Sequence, residues 1–328
     1  MAVSGIGQDG YVRIQKETTW GDPIYASMTF LPVLPGSTFQ SVDMQIDNAN
    51  IISSRLKQVA NIGRQTVKFS LKMNLPFTLI GSLINLLLGT SSNSGVGAYT
   101  HTWLMPLTGL RIGKSFTMEV AKGSDTAERY EGCVFTVFKM QCDNKGQIII
   151  TLDGIGETYT ENVARATSFS YPMTIPGNFS MAVVNVNNSE LPCNSMDFTM
   201  DLNYDLENFK IGSRFIKNPV FKGIPSMNLK LNTDADRQFP VAAHAHTYYT
   251  NNSIVITSTE NASGATKYKF ELEIPKMKLS PETDIPFEND KLSMDLDFDC
   301  GFGGTTTGSA SAIVMAEARV VDATATYP

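Results

Sequence analysis

The side chains best suited to metal binding or nucleophilic chemistry are few and scattered. The chain of 328 residues has four cysteines, Cys133, Cys142, Cys193 and Cys300. Because Cys133 and Cys142 lie on one predicted strand, their separation of ~30 Å at ~3.3 Å per residue rules out a disulfide between them. No two cysteines are spaced as a CxxC pair, so we interpret all four as reduced structural thiols of a cytosolic protein.

The three histidines, His101, His244 and His246, do not form a metal-ligand pattern. His244 and His246 share a face only in a strand, and no nearby cysteine or carboxylate pattern completes a zinc site. We interpret the histidines as surface or interface residues. The chain also lacks the nucleophile-elbow, phosphate-loop and zinc-protease motifs. We therefore predict no metal, no cofactor and no enzymatic activity.

Charge and hydropathy narrow the function classes further. Lysine and arginine total 26 and aspartate and glutamate total 32, which gives a net charge of −6. This balance argues against a strongly basic surface that grips nucleic acid, although weak or transient contact with DNA stays possible. No apolar run reaches the ~18 residues of a membrane span, and no signal peptide is visible. We predict no membrane association.

Alternation with a period of two dominates the sequence and predicts antiparallel strands with one face on a core. In residues 41–47, SVDMQID, Val42, Met44 and Ile46 face one way and the polar residues face the other. Residues 67–74 and 291–299 alternate in the same manner. Helical signals are few: residues 76–90 predict a helix that begins near Pro76 and ends at Gly89, and residues 234–249 are a weaker candidate.

Several strand patterns occur twice in the same order. The matched segments are 41–47 with 195–201, 67–74 with 225–232, 114–120 with 252–258, 129–141 with 267–279, and 146–156 with 290–301. Collinear order over both halves is the signature of a duplicated unit. We therefore predict a mainly β protein of two tandem domains with one helix per copy, spanning residues 1–165 and 193–328. Residues 166–192 are interpreted as a linker, and the C-terminal end as a last strand that adds to a neighbour.

A long loop between the first two repeated strands of each copy mixes apolar and basic residues. We expect these loops to dock on another subunit, the alternative being that each folds back on its own domain. The candidate contact residues in the first copy are Ile51, Ile52, Arg55, Leu56, Lys57, Val59 and Ile62. Those in the second copy are Phe209, Ile211, Arg214, Phe215, Ile216 and Phe221.

The polar faces of several predicted strands are acidic. The residues concerned are Asp43, Asp47, Asp197, Asp201, Glu271, Glu273, Asp295, Asp297 and Asp299. Such faces either repel an acidic polymer or simply keep an outer surface solvated.

Two segments give the chain a resemblance to the phage tail tube proteins, the major tail proteins of long-tailed bacteriophages. Residues 16–23, KETTWGDP, resemble an E-T-x-x-G segment near the start of one such family. Residues 130–157, YEGCVFTVFKMQCDNKGQIIITLDGIGE, resemble its Y-x-G-C strand, turn and strand. The likeness covers most of residues 1–160. The second copy departs from it, because Lys269 and Phe270 follow Tyr268 where the first copy has Gly-Cys.

The resemblance implies a fold and a role. Tube domains are β-sandwiches with one flanking helix and a long hairpin, and six domains form a ring around a lumen through which DNA passes. With two domains per chain, three chains would close a ring, the loops would carry assembly contacts and the acidic faces would line the lumen. The implied partners are further copies of the chain, the tail terminator, tape measure and baseplate proteins, and phage DNA in transit. The implied location is the virion tail, with assembly in the host cytoplasm.

Two alternatives stay open at this point. The chain is a different virion structural protein, such as a baseplate hub, a pilin-like subunit or a capsid decoration, or it is a tandem carbohydrate-binding module. The last would display aromatic platforms, yet Trp20 and Trp103 are the only tryptophans.

Overall fold

The computed structural model describes residues 10–46, 61–89, 91–106, 113–123, 126–172, 176–211, 213–234, 248–280, 293–300, 304, 306, 314–324 and 327. Within these residues the protein is mainly β, as the alternating patterns predict. One α-helix, α1 (Ile80–Leu88), and one 3-10 helix (Phe179–Met181) accompany the strands.

Ten strands lie in the first half of the chain. They are β1 (Tyr11–Lys16), β2 (Thr29–Leu31), β3 (Thr38–Ile46), β4 (Asn61–Asn74), β5 (Ser92–Val96), β6 (Ala98–Pro106), β7 (Phe116–Ala121), β8 (Ala127–Asp143), β9 (Ile149–Gly156) and β10 (Thr158–Val163).

Eight strands follow in the second half. They are β11 (Ala182–Val186), β12 (Ser189–Glu190), β13 (Ser195–Asp201), β14 (Ser226–Asp234), β15 (Tyr248–Ser263), β16 (Thr266–Leu279), β17 (Ser293–Cys300) and β18 (Val314–Asp322).

The strand pairings of the first half recur in the second. In the first half β1 pairs with β2 and β7, β8 pairs with β7, β9 and β10, and β4 pairs with β3 and β9. In the second half β11 pairs with β12 and β15, β16 pairs with β15, β17 and β18, and β14 pairs with β13 and β17. Apart from the β5–β6 hairpin of the first half, each of these pairings thus has a counterpart in the other half, in the same chain order.

A single antiparallel sheet runs through both halves, and we call it the long sheet. Its strand order is β3, β4, β9, β8, β13, β14 and β17. The halves join where the C-terminal part of β8, residues 137–143, pairs with all seven residues of β13. Since β8 has 17 residues, its N-terminal part is free to pair with β7 and β10 on a second layer.

The second layer also links the halves. The C-terminal strand β18 pairs on one side with β16 and on the other with β6, which belongs to the first half. The predicted last strand therefore adds to a neighbour, and that neighbour is within the same chain.

The helix α1 packs its apolar residues into the core, as the sequence predicts. Its first turn is closed by Ile80, whose N–H donates to the Pro76 carbonyl at 2.8 Å. It ends at Gly89, where φ is +86°, a backbone conformation that suits glycine. The indole N–H of the fully buried Trp103 donates to the Gly89 carbonyl at 3.1 Å and fixes this end against β6. The second helix candidate, residues 234–249, lies mostly outside the described residues, and Tyr248 and Tyr249 belong to β15.

One hydrophobic cluster includes buried residues from both halves. Phe138 of β8 and Phe198 of β13, for example, pack with ring centroids 6.3 Å apart across the junction. The segment interpreted as a linker contains β11 and β12, and β11 pairs with β15. Buried Val184 and Val186 explain why this segment is ordered as a strand. The division into two domains stays a prediction.

Candidate assembly surfaces and conduit wall

The two segments of the first half that carry the sequence resemblance meet at one buried carboxylate. Glu17 accepts hydrogen bonds from the Gly132 N–H at 2.9 Å, the Thr117 hydroxyl at 2.9 Å and the Gly21 N–H at 3.1 Å. Burial raises the pKa of Glu17, although these hydrogen bonds oppose the effect. Gly132 has φ of +60° and its α-carbon faces the Glu157 side chain, so a larger residue would be strained and crowded there. The contact fixes the N-terminal segment to the kinked start of β8.

A second buried carboxylate, Glu119 of β7, holds two arginines. Arg13 and Arg129 donate to its carboxylate oxygens at 2.9 and 2.8 Å, and the Tyr11 hydroxyl donates at 2.7 Å. Burial alone would raise the pKa of Glu119, but the three donors together outweigh it and the pKa lies below its usual value. This network ties β1, β7 and β8 together on the second layer.

The loop after β13 forms a long hairpin, and we call residues 202–225 the second hairpin. Its two arms are held by bridges between Tyr204 and Phe221 and between Phe209 and Ile216. The Tyr204 and Phe221 rings stack with centroids 5.0 Å apart. At the tip, Ile211 is fully exposed. The basic residues Lys210, Arg214, Lys217 and Lys222 of the loop are exposed as well. The counterpart in the first half connects β3 to β4.

The second hairpin packs on the first half of the chain. Ile216 is only 3% exposed and packs with Val134 of β8 and Ile155 of β9. The Arg64 guanidinium lies 4.8 Å from the centre of the Phe209 ring. The Gln65 N–H donates to the Arg214 carbonyl at 2.9 Å. Ile216 and Phe209 of this loop thus cover part of the first half of the chain.

The predicted loop residues fall into three groups. Phe209, Arg214, Phe215, Ile216 and Phe221 lie on the second hairpin, with Ile211 at its exposed tip. Residues Ile51, Ile52, Arg55, Leu56, Lys57 and Val59 lie outside the described residues. Ile62 belongs to β4, where the structure gives only its backbone.

The long sheet has one face on the core and one polar face. Asp197 and Asp201 lie on β13, and Asp295, Asp297 and Asp299 lie on β17, all at positions that alternate with buried residues. Asp43 is on β3, where the structure gives only its backbone, and Asp47 lies outside the described residues. The strands therefore bring five of the predicted carboxylates to one face of one sheet.

Neutral and basic partners accompany these carboxylates. Asp295 accepts from the Asn232 amide at 2.6 Å, Asp197 accepts from the Gln141 amide at 2.8 Å, and Asp297 lies 3.4 Å from the Lys230 ammonium. Lys230 and Asp297 are both well exposed, so water screens their attraction and the pair adds little stability. The face is polar and mixed in charge, with an acidic excess on β13 and β17.

This polar face is concave. A trough of about 830 Å³ runs across β8, β13, β14 and β17. Among its lining residues are Gln141, Asp197, Lys230, Asn232, Asp295 and Asp297. The trough crosses the junction between the halves, where β8 pairs with β13.

The remaining two predicted carboxylates lie elsewhere. Glu271 and Glu273 of β16 each lie 2.8 Å from a nitrogen of Arg319 on β18. The same arginine lies 3.3 Å from Glu317. The structure separates this cluster from the polar face, and its role in holding β18 to β16 accounts for the two glutamates.

A comparison with protein families matches residues 7–300 to the family described as phage tail tube protein. The chain belongs to the phage tail tube family. A search of curated proteins gives no match. The match extends through nearly the whole chain, so the family assignment includes the second half, which lacks the Gly-Cys of the first. The protein is therefore a structural component of a phage tail.

The cysteines of this tail tube protein are structural. All four cysteines are free thiols, and burial raises the pKa of Cys133 well above its usual value, which leaves that thiol unreactive. Within the described ranges no group of three or more histidine, cysteine or acidic residues is placed to hold a metal ion, and no helix is suited to crossing a membrane.

The aromatic residues and His101 have structural roles too. Trp103 is fully buried and Trp20 is half-buried against Ile216, so neither tryptophan forms an exposed platform for sugars. His101, expected at a surface or interface, is fully buried where β6 meets β18. There its Nε2 lies 2.7 Å from the Thr324 carbonyl oxygen, so the prediction was wrong for this histidine, which is a core residue.

Proposed function

We propose that this protein is the tube subunit of a long-tailed phage, and that three chains close a ring of six similar domains. Rings then stack into a tube that conducts DNA during ejection. The observation that carries the proposal is the pairing of β8 with β13. It joins two different strands of the repeat, β8 of the first half and β13, the counterpart of β3, into one continuous sheet over seven residue pairs. The same operation applied between chains would continue that sheet around a closed ring.

The concave polar face supports a role as the conduit wall. A duplex moves freely only along a surface that gives it few phosphate contacts, since each contact with lysine or arginine adds affinity. Asp197, Asp201, Asp295, Asp297 and Asp299 give this face an acidic excess. With a net charge of −6 per chain, three chains carry 3 × (−6) = −18.

The hairpins would supply a second type of contact between repeats and between chains. The second hairpin covers Val134 and Ile155 of the first half. The equivalent loop of the first half would cover the second half of the next chain, or the ring above. Tail terminator, tape measure and baseplate proteins are the expected partners, and assembly would take place in the host cytoplasm.

Image averaging of the purified protein tests this proposal. We expect rings or tubes with a central hole, three chains per ring by mass, and an approximate sixfold outline. Six chains per ring would reject the trimer. A protein that stays monomeric at concentrations where tail tubes polymerise would argue against the self-assembling tube.

A further inference from the structure

The two halves differ at one place where their strand pairings should be equivalent. In the first half, β7 has six residues and pairs with the N-terminal part of β8 only. The chain before β7 turns away, because the Lys114 N–H donates to the Leu86 carbonyl at 2.8 Å. This leaves the edge of residues 137–143 of β8 open, and β13 occupies it.

In the second half, the equivalent edge is already occupied. β15 has 16 residues and follows β16 almost to its end. Tyr248, Thr250 and the intervening Tyr249 pair with Lys278, Lys276 and Met277. We call residues 248–250 the plug and residues 276–278 of β16 the acceptor edge. The segments FKM at 138–140 and PKM at 275–277 mark the two edges as equivalent parts of the repeat.

The plug is joined to the rest of β15 by a break in the ladder. Asn251 has φ of +53°, which is uncommon for a residue with a side chain. It lies opposite Pro275, which has no N–H to donate. The ladder pairs Thr250 with Lys276 and Asn252 with Ile274, and the pair between them is missing. The Asn252 amide donates to the Tyr249 carbonyl at 2.9 Å and holds the bend. Within the described ranges, three residue pairs lie beyond the break.

The complementary edge is found at the other end of the long sheet. β3 is the counterpart of β13, and within the described residues its backbone pairs with β4 alone. β13 binds β8 through seven residue pairs, whereas within the described residues the plug binds β16 through three.

We propose that the plug covers the acceptor edge in the free chain, and that β3 of a second copy displaces it when the ring closes. This rests on the proposed tube function and specifies how one chain joins the next. Sheet edges that pair with other chains are sites of uncontrolled association, and a covered edge is protected from it. If the plug detaches at Asn251 only when β3 of a second copy replaces it, the acceptor edge is exposed only to the correct strand.

A disulfide that locks the plug tests the proposal. Thr250→Cys with Lys276→Cys places two thiols directly opposite each other across the ladder. The matched control is Thr257→Cys with Lys269→Cys, an opposed pair on the same two strands away from the plug. Cys142 and Cys193, the two partly exposed thiols, are replaced by serine in every protein used.

Oxidised and reduced forms of each protein are compared by sedimentation and negative-stain microscopy. We expect the oxidised 250–276 variant to stay unassembled and to form tubes after reduction, and the 257–269 variant to assemble in both forms. Hydrogen exchange should show amides of β3 gaining protection on assembly while those of the plug lose it. Equal assembly of both oxidised variants, or unchanged protection of the plug in tubes, would reject strand exchange and leave the tube function intact. A protein that has the two serine replacements but no introduced cysteines, and that forms no rings, would instead argue against the proposed function.

Discussion

The contact between the second hairpin and the first half depends on one side chain more than on others. We predict that Ile216→Ala opens the hairpin, whereas Ile211→Ala does not. Both are isoleucines of the same loop, but Ile216 is 3% exposed and Ile211 is fully exposed at the tip.

The magnitude follows from the packing. Burying an isoleucine contributes roughly 1.5–3 kcal/mol, and truncation to alanine in a core costs about 2–5 kcal/mol. Ile216 belongs to a small cluster with two other buried residues, Val134 and Ile155, edged by half-buried Trp20 and Phe209. We therefore expect the low end, about 2 kcal/mol, which raises the open fraction of the hairpin about 30-fold.

Limited trypsin digestion under native conditions measures that fraction, because cleavage tracks the open population when opening and closing are fast. Lys210, Arg214 and Lys217 offer cleavage sites in the exposed parts of the hairpin. We expect cleavage about 30 times faster for Ile216→Ala than for the wild type, and less than threefold faster for Ile211→Ala. Similar rates for the two variants would show that Ile216 does not hold the hairpin to the first half.

Three further predictions concern other parts of the molecule. Glu119→Gln should lower the free energy of unfolding by about 3 kcal/mol at pH 7, since it leaves Arg13 and Arg129 half-buried without a countercharge. Because the pKa of Glu119 is lowered in the folded state, the difference from the wild type should shrink as pH falls below the usual value of 4.5, and a pH-independent difference in urea titrations would contradict this. Lysine in place of Asp295, Asp297 and Asp299 should leave tubes intact but slow or block DNA ejection, and normal ejection from particles shown to contain the variant would remove these residues from the conduit wall. Serine in place of Ile51, Ile52 and Leu56 should leave a folded chain that no longer polymerises, and full-length tubes from it would assign that loop to packing within its own chain.

Patterns of local origin were predictable from sequence. Period-two alternation placed β17 close to its observed bounds and the C-terminal parts of β3 and β4, which begin earlier than predicted, at Thr38 and Asn61. The apolar run after Pro76 placed α1. The order of the repeated segments predicted that strands would correspond between the halves, and the pairings do recur. These features depend on side-chain periodicity, which the sequence displays directly.

Features that depend on the main chain or on two-sided burial were not predictable. The β8–β13 junction is made by backbone hydrogen bonds, for which any alternating strand would serve. Glu119 alternates with apolar residues and looks solvent-facing, yet every residue of β7 is buried because both of its faces are covered. Glu17 and Gly132 carried a signal, since each lies in a segment that resembles the family, but their contact required the structure.

The differences between the halves have a physical reason if three chains form the ring. Inside one chain the two repeats are tethered, so the β8–β13 junction forms at high effective concentration and needs no protection. The equivalent junction between chains depends on encounter, and an open edge would pair with any exposed strand. A duplicated subunit can therefore keep one copy of the edge permanently filled and cover the other with its own residues 248–250. Two identical unfused domains would have no such division, because each would have to serve as both the tethered and the regulated partner.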